Sequence, residues 1–405
     1  MSASCAATAR FPLLCFGFVV CGIVTVLPGP LLPIMAARWG LPDVQSGGFF
    51  AAEFATSMVG SILSSRAIRR NLPSGFAVMT AGVLLLIASV QTLNPSAGHA
   101  LALAAFAVIG FGTGLSVTAT NLTVAAMNGD PRPSGSRVSI RARRLSIVNV
   151  WWGIGAVACP WLIAWTEHAG HMRPLLFVVS LASAGLFVAL LPRAPAPETA
   201  AVPAPPTPRA RQTGILVYFA AFMFLYVGVE TVIGGWITTY AHRFSGMTLA
   251  HASLMVSLYW AALLTGRWLG SVALHLFGER TILLPSLALS LIAVAVLFEP
   301  RSTPAVLVAV AAAGAGFGPV FPIGASRMLA RLADHRNAGW AFAMCAAGGA
   351  VLPWLTGLVS TRSGSLRVGF AVPLVALVLI LILAAIENAV LTRSPFLMMP
   401  QEKRS

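Results

Sequence analysis

The sequence predicts an all-α membrane protein in which twelve transmembrane helices form two pseudo-symmetric bundles of six. Its composition, the number of its apolar segments and an internal repeat predict this fold. Hydrophobic residues make up 58% of the 405 residues and charged residues 9%, whereas a soluble globular chain carries about 25% charged residues. With a mean hydropathy of +0.85, the chain falls among the integral membrane proteins.

Twelve apolar segments follow one another along the chain. The first, Phe11 to Ala37, is too long for a signal peptide, and membrane helices tolerate prolines such as those at 28, 30 and 33. Residues 192–213 are rich in Pro and Ala, which predicts an extended linker. The other segments are predicted at 45–65, 75–93, 99–127, 145–165, 174–191, 214–240, 250–276, 281–298, 304–326, 338–360 and 369–391. The predicted organisation is a bundle at 1–191, a cytoplasmic linker at 192–213, a bundle at 214–392 and a cytoplasmic tail at 393–405.

The distribution of basic residues predicts the orientation. If both termini are cytoplasmic, 19 of the 26 Lys and Arg residues fall on the cytoplasmic side, six fall on the other side, and Arg267 lies within a helix. This bias is typical of multi-pass proteins, so we expect both termini inside a bacterial-type inner membrane. The net charge of +15 therefore comes mainly from basic residues on the predicted cytoplasmic side of the membrane. The expected partners are the lipid bilayer and a small-molecule substrate, without nucleic acid, and the expected oligomeric state is a monomer.

The two bundles share an internal repeat. Small residues are common in packed membrane helices, so a single short match arises easily by chance. Three matches in the same order favour a duplicated six-helix unit. They pair Gly155 to Leu162 with Gly349 to Leu355, Gly110 to Gly114 with Gly314 to Gly318, and Gly60-Ser61 with Gly270-Ser271.

Three charged side chains lie deep within apolar segments, where a charge costs roughly 2.5–3.5 kcal/mol. We expect Glu230, in the seventh segment, and Glu53, in the second, to exchange the coupling ion, because a carboxyl group takes up or releases a proton when its surroundings alternate. The alternatives are a structural hydrogen bond for Glu230 and a position near the periplasmic rim for Glu53. Arg267, in the eighth segment, is a gating or structural candidate that could snorkel, pair, or contact an anionic substrate.

Asn, Tyr and Trp side chains in the apolar segments are candidates for solute binding. Sugars bind through amide hydrogen bonds and an aromatic face, so these residue types suit a sugar. The same rings suit an aromatic metabolite or drug, and Trp and Tyr also gather at membrane interfaces. The candidates are Asn149, Trp152, Asn121, Tyr226, Trp236, Tyr259 and Trp260.

The sequence carries no motif of an enzyme or of an ATP-driven pump. It lacks a G-x-x-x-x-G-K-[ST] phosphate loop, a nucleophile elbow and an H-E-x-x-H pair. The five cysteines include no C-x-x-C pair, and Glu167, His168 and His171 are too few for a metal site. We therefore expect no enzyme activity and no cofactor or metal, only a coupling ion, H+ or Na+.

Two repeated bundles of six helices resemble the major facilitator superfamily, whose substrate site lies between the halves near the bilayer midplane. The loop after the second segment also resembles the signature G-x-x-x-D-[RK]-x-G-x-R-[RK] of that superfamily. Gly60, Arg69 and Arg70 match it, which implies gating or structural roles for them. The acid, the base and the second glycine are replaced by Ser64, Ser65 and Ala67. We therefore do not expect the usual charge lock at the cytoplasmic gate.

Three stretches, Tyr226 to Trp236, Gly318 to Pro322 and Gly348 to Trp354, resemble the fucose–glucose permease group of proton- or sodium-coupled sugar carriers. The resemblance implies a sugar or related metabolite as solute, bound in the fifth helix by Asn149 and Trp152. The acids that the fucose branch carries in its first and fourth helices are missing here, so fucose itself is not expected.

Three functions remain open from the sequence. The first is uptake of a sugar or similar small polar solute together with a proton or sodium ion, by alternating access. The second is proton-driven export of an amphipathic metabolite or drug, which the aromatic residues favour. The third is a non-transporting membrane enzyme or receptor-like relative, which would need a catalytic cluster or a soluble appendage.

Overall fold

The computed structural model describes residues 11–64, 66–126, 136–168, 172–191, 209–274, 276–298, 302–331 and 335–393, and every regular element in these ranges is a helix. We number the membrane spans in chain order. They are span 1 (Phe11–Val26 and Pro28–Trp39), span 2 (Asp43–Ser64), span 3 (Ile68–Gln91), span 4 (Pro95–Ala126), span 5 (Ser136–His168), span 6 (Met172–Leu190), span 7 (Arg209–Phe244), span 8 (Leu249–Ala273), span 9 (Glu279–Phe298), span 10 (Thr303–Phe317 and Val320–Arg331), span 11 (His335–Ser363) and span 12 (Leu366–Gly369 and Ala371–Arg393).

Eleven of the spans are long and apolar enough to cross a membrane. Span 2 is less apolar because it carries Asp43, Gln45 and Glu53, but its 22 residues would extend about 33 Å, which is enough for a bilayer core of about 30 Å. Span 2 packs against span 4 of its own half and span 11 of the other half. The predicted all-α membrane fold with twelve spans is confirmed.

The predicted linker and tail lie mostly outside the described residues. Of the linker at 192–213, the structure describes only the part from Arg209, which already belongs to the long helix of span 7. Of the tail at 393–405, it describes only Arg393, the last residue of span 12. The ends predicted for both segments therefore stay predictions.

The repeated glycines make equivalent contacts in the two halves. Gly110 and Gly114 of span 4 lie directly against backbone carbonyls of span 2. Gly314 and Gly318 of span 10 lie in the same way against the backbone of span 8. A Cβ atom at any of the four positions would overlap the neighbouring backbone. The repeat thus encodes two close helix contacts, one in each half.

The halves are joined at the ends of spans 2, 7 and 11 on the predicted outer side. Both terminal nitrogens of Arg243 bind the two carboxylate oxygens of Asp43 at 2.7 Å. Ser360 donates to the same carboxylate at 2.5 Å, and the backbone N–H of Val44 donates to Thr361 at 2.8 Å. A bidentate, charge-assisted contact of this kind is among the stronger polar interactions in proteins.

Small residues let the halves approach each other between these ends and mid-depth. A Cβ on Gly29 of span 1 would lie 2.9 Å from the carbonyl oxygen of Gly234 on span 7. A Cβ on Gly47 of span 2 would lie 2.9 Å from the Cα of Trp354 on span 11. The outer part of the seam between the halves is therefore packed backbone against backbone.

Replacing Gly318 by Ala should destabilise the protein by about 1–3 kcal/mol, because the new methyl group overlaps the backbone of span 8. Gly185→Ala is the matched control, since Gly185 lies in span 6 with no atom within 4 Å of its ideal Cβ, and it should leave stability unchanged or slightly raised. Thermal unfolding of the two purified variants in detergent measures the difference. Equal melting temperatures for both would contradict the proposed contact.

Asp43→Asn and Arg243→Gln should each lower thermal stability, and the double variant should lose little more than either single variant. The reason is that the two side chains stabilise the closed outer side as a pair, with a coupling energy of about 0.5–3 kcal/mol. A double-mutant cycle on the melting temperature tests this. Strictly additive losses would show that the two residues act independently.

Candidate functional site

The candidate site is built around a break in span 10. The first helix of this span ends at Phe317, and Pro322 lacks the N–H that would bond to the Gly318 carbonyl four residues earlier. In lipid, a freed carbonyl must find its partner inside the protein. The Tyr226 hydroxyl donates to the Phe317 carbonyl at 3.1 Å, and Nε of Arg267 donates to the Gly318 carbonyl at 3.4 Å. Side chains of spans 7 and 8 therefore supply hydrogen-bond donors to the carbonyls at the break.

Glu230 lies beside this break at mid-depth. It is half-buried, and the 14 residues that separate it from Phe244 (244 − 230) correspond to about 21 Å of helix. Its carboxylate interacts with the Tyr226 hydroxyl and with the charge of Arg267, while the Tyr259 hydroxyl donates to its backbone carbonyl at 3.3 Å. Among the described residues no direct salt bridge joins Glu230 to Arg267. The Tyr226 hydroxyl interacts with both of them.

Trp152 and Trp260 meet across the seam between the halves. Their ring centroids are 5.3 Å apart with an interplanar angle of 82°, an edge-to-face geometry that aromatic pairs favour. Gly234 of span 7 leaves room for this contact, since a Cβ there would lie 3.1 Å from the Trp260 ring. The Trp260 indole N–H is buried without a partner among the described residues. It is therefore a donor that a solute oxygen could satisfy.

Asn149 lies on the same span as Trp152, three residues earlier. Its side chain is exposed, and its amide N–H donates to the Leu145 carbonyl one turn before it at 2.8 Å. That hydrogen bond leaves the amide oxygen free to accept from a hydroxyl group. The role of Asn149 in binding a solute stays a prediction.

The other predicted site residues lie away from the Glu230 cluster. The Trp236 indole is fully buried and donates to the Pro353 carbonyl at 3.1 Å, so it packs spans 7 and 11 together. Gly60 of span 2 packs against the backbone of span 4, and Asn121 is half-buried on span 4. The arginines of the signature loop, Arg69 and Arg70, are exposed at the start of span 3.

Glu53 forms a second acidic site, which is buried on span 2. It lies at the middle of span 2, rather than near the rim of the membrane. Its side chain is 2% exposed, and neither carboxyl oxygen has a hydrogen-bond partner among the described residues. The carboxyl group interacts with Cys159 of span 5. An uncompensated charge in such a place costs several kcal/mol.

Two polar clusters were not predicted from the sequence. One is the contact of Asp43 with Arg243 and Ser360 described above. In the other, Arg327 of span 10 binds Glu279 at 2.9 Å and Glu387 at 3.2 Å, which ties together the ends of spans 9, 10 and 12. The available signal was the scarcity of acids, only 11 in the chain, because each acid near a helix end then needs a basic partner.

The described part of the chain contains no group of three or more His, Cys, Asp or Glu side chains that could hold a metal ion. Within the described residues, Cys15, Cys21 and Cys159 form no disulfide bond. The chemistry that the site offers is therefore proton exchange at carboxyl groups, hydrogen bonding, and contact with aromatic rings.

Two kinds of known protein resemble this chain in sequence over long stretches. A glucose/galactose transporter from Brucella abortus biovar 1 (strain 9-941) is 24% identical over 379 residues, which cover 88% of this chain and 89% of that protein. A TsgA homolog from Erwinia tasmaniensis is 23% identical over 281 residues, which cover 66% of each chain.

Solved structures share the fold. The E. coli fucose:proton symporter FucP has a TM-score of 0.62 at 17% identity, covering 94% of this chain and 99% of FucP. The nucleoside transporter NupG has a TM-score of 0.71 at 15% identity, with coverages of 95% and 99%. A D-xylose-proton symporter has a TM-score of 0.70 at 14% identity, with coverages of 92% and 97%. The sequence profile of the Major Facilitator Superfamily matches residues 14–338, and the chain therefore belongs to this superfamily of membrane transporters.

Proposed function

We propose that the protein is a proton-coupled carrier that moves a small polar solute, a sugar or related metabolite, by alternating access. One observation carries the proposal: Glu230 lies half-buried at mid-depth, beside Arg267, Tyr226 and the break in span 10. An ionisable group in this position marks a substrate or ion path in membrane proteins. The acid can exchange a proton when the surroundings of the seam change.

A proton suits this site better than a sodium ion. The guanidinium of Arg267 acts on the same carboxylate of Glu230, and it would repel a metal cation placed there. A proton instead removes the charge of Glu230 and adds no cation beside Arg267. Glu53 could act as a second proton site, because its two carboxyl oxygens have no partner in the described structure.

The closed outer side fits one state of an alternating-access cycle. Asp43 and Arg243 join the two halves at their predicted outer ends, so passage of a solute requires that this contact open. Rocking of one half against the other, as in related transporters, would then expose Glu230 first to one side of the membrane and then to the other.

Two observations support a sugar-like solute. The Trp152–Trp260 contact offers aromatic faces and an unpartnered indole N–H at the seam, and Asn149 offers an amide oxygen nearby in the chain. The known relatives include a glucose/galactose transporter. We further propose that the protein works as a monomer in a bacterial-type inner membrane with both termini in the cytoplasm, as the basic residues predict.

Glu230→Gln should abolish accumulation of solute driven by a pH gradient but retain exchange of solute across the membrane. The glutamine keeps the shape of the protonated acid, so solute can still bind and the halves can still rock, but no proton is carried. Uptake and counterflow in proteoliposomes measure the two activities. Glu279→Gln, at the end of span 9, is the control: its amide oxygen can still accept the hydrogen bond from Arg327, so this variant should keep both activities. Full gradient-driven accumulation by Glu230→Gln would exclude Glu230 as the coupling acid.

Trp260→Ala should raise the solute concentration that gives half-maximal transport about 3- to 10-fold, because one aromatic contact contributes about 0.5–1.5 kcal/mol. The matched control is Trp268→Ala on the same span, since the Trp268 side chain is 65% exposed on the outside of the bundle. Initial rates of uptake over a range of solute concentrations check this. Equal effects of the two substitutions would argue against a binding role for Trp260.

A further inference from the structure

Arg267 lies on the face of span 8 that borders the other half. Three residues of this span contact span 5: Ser257 through a hydrogen bond, Trp260 through its ring and Leu264 through its methyl groups. Arg267 continues their spacing of three and four residues, which keeps a helix position on one face. The two spans run antiparallel, so the next turn of span 5 is the one that carries Asn149.

Arg267 has no direct counter-ion in the described structure. Its Nε binds the Gly318 carbonyl and it interacts with the Tyr226 hydroxyl, but both partners are neutral. The charge of Glu230 acts on it without a direct salt bridge. Arg267 is half-buried, six residues (273 − 267) before the end of span 8, or about 9 Å along the helix.

Few other charges could offset that of Arg267. Within the described spans, the Asp and Glu residues more than four residues from a span end are Glu53, Glu230 and Glu387, and Glu387 binds Arg327. Glu53 is buried on span 2 beside Cys159 of span 5. Once Glu230 takes up a proton, the charge of Arg267 is therefore left without compensation. A cation without a counter-ion is costly inside the membrane, so this state favours an anion.

We propose that the transported solute carries a carboxylate, which binds the guanidinium of Arg267 when Glu230 is protonated. The inference rests on the proposed proton coupling and names the solute class. The planar guanidinium matches a carboxylate with two parallel hydrogen bonds. The rest of the solute then extends along the seam toward Asn149 and the Trp152–Trp260 pair. Hydroxyl groups suit those side chains, so the solute is a sugar acid.

The charges around Glu230 make the binding of proton and anion mutually dependent. The groups that face Glu230 are Tyr226 on its own span, Arg267 and Tyr259 on span 8, and Cys345 on span 11, and Arg267 is the one cation among these described groups. Ionised Glu230 offsets Arg267 and repels a second carboxylate. Protonated Glu230 leaves Arg267 to the solute. One proton then moves with one monocarboxylate, and the net charge transferred is zero.

Transport by the unmodified protein in proteoliposomes tests whether proton and solute move together without net transfer of charge. Uptake of D-gluconate or D-glucuronate driven by a pH gradient should be the same with or without an imposed membrane potential. Symport of a proton with neutral D-glucose would carry one positive charge and would be stimulated by an inside-negative potential. Uptake of a sugar acid that depends on the potential, or uptake of glucose but of neither acid, would overturn the inference.

Variants of Arg267 and Glu230 test where the carboxylate of the solute binds. Arg267→Gln should weaken D-glucuronate binding at least 10-fold, measured by thermal stabilisation of the purified protein, and Arg267→Lys should weaken it less. Glu230→Gln should bind D-glucuronate equally at pH 6 and pH 8, whereas the unmodified protein should bind it at least 10-fold more weakly at pH 8, because its Glu230 must first be protonated. Arg362→Gln, at the exposed end of span 11, is the control. Unchanged binding in Arg267→Gln would overturn the inference.

The outcomes separate this inference from the proposed function. If neutral sugars accumulate with the pH gradient and Glu230→Gln abolishes that accumulation, the proton-coupled carrier stands and the sugar-acid inference falls. If no tested solute exchanges across the membrane, both fall. If Arg267→Gln does not fold, the dependence of uptake on membrane potential, measured on the unmodified protein, decides alone.

Discussion

A backbone carbonyl inside a bilayer has no water to bind, and the candidate site depends on how the carbonyls at the break in span 10 meet this constraint. Tyr226 and Arg267 supply the donors from spans 7 and 8. The bond to Gly318 holds the Arg267 side chain at a fixed place beside the seam, although a cation there is costly. Glu230 lies one turn after Tyr226 on span 7, and its negative charge lowers the cost of placing Arg267 there. The break, the cation and the acid thus form one electrostatic unit.

The repeat gives the two halves the same helix packing. The charged cluster lies where the second half departs from that repeat. Gly110 and Gly314 make equivalent close contacts with spans 2 and 8, which gives both halves the same packing. Span 4, however, has no proline between Gly114 and its end at Ala126, so it continues where span 10 breaks. Span 10 therefore needs side-chain donors for freed carbonyls where the equivalent span 4 does not, and the charged cluster lies beside span 10.

Among the described residues, the salt bridge between the halves lies at the predicted outer side. Asp43 binds Arg243 and Ser360 there, whereas the loop after span 2 has lost the acid and base of its signature. At that loop, Ser64 donates to the Leu115 carbonyl of span 4 at 2.8 Å, a neutral bond within one half. Strong interactions thus hold the outer side closed, and opening it must be offset by energy from solute or proton binding.

Composition and apolar length by themselves determined that this chain is an all-α membrane protein with twelve spans, because crossing a bilayer requires about 20 apolar residues in a row. They also singled out Glu230, Glu53 and Arg267, since a charge within such a segment is rare. Only the tertiary structure decided what these side chains face: Arg267 and Glu230 lie together beside the break in span 10, whereas Glu53 is buried on span 2 with no hydrogen-bond partner among the described residues. Helix rotation and the choice of neighbouring helix set that difference. Both depend on packing between residues far apart in the chain, as between Asp43 and Arg243, which no local pattern encodes.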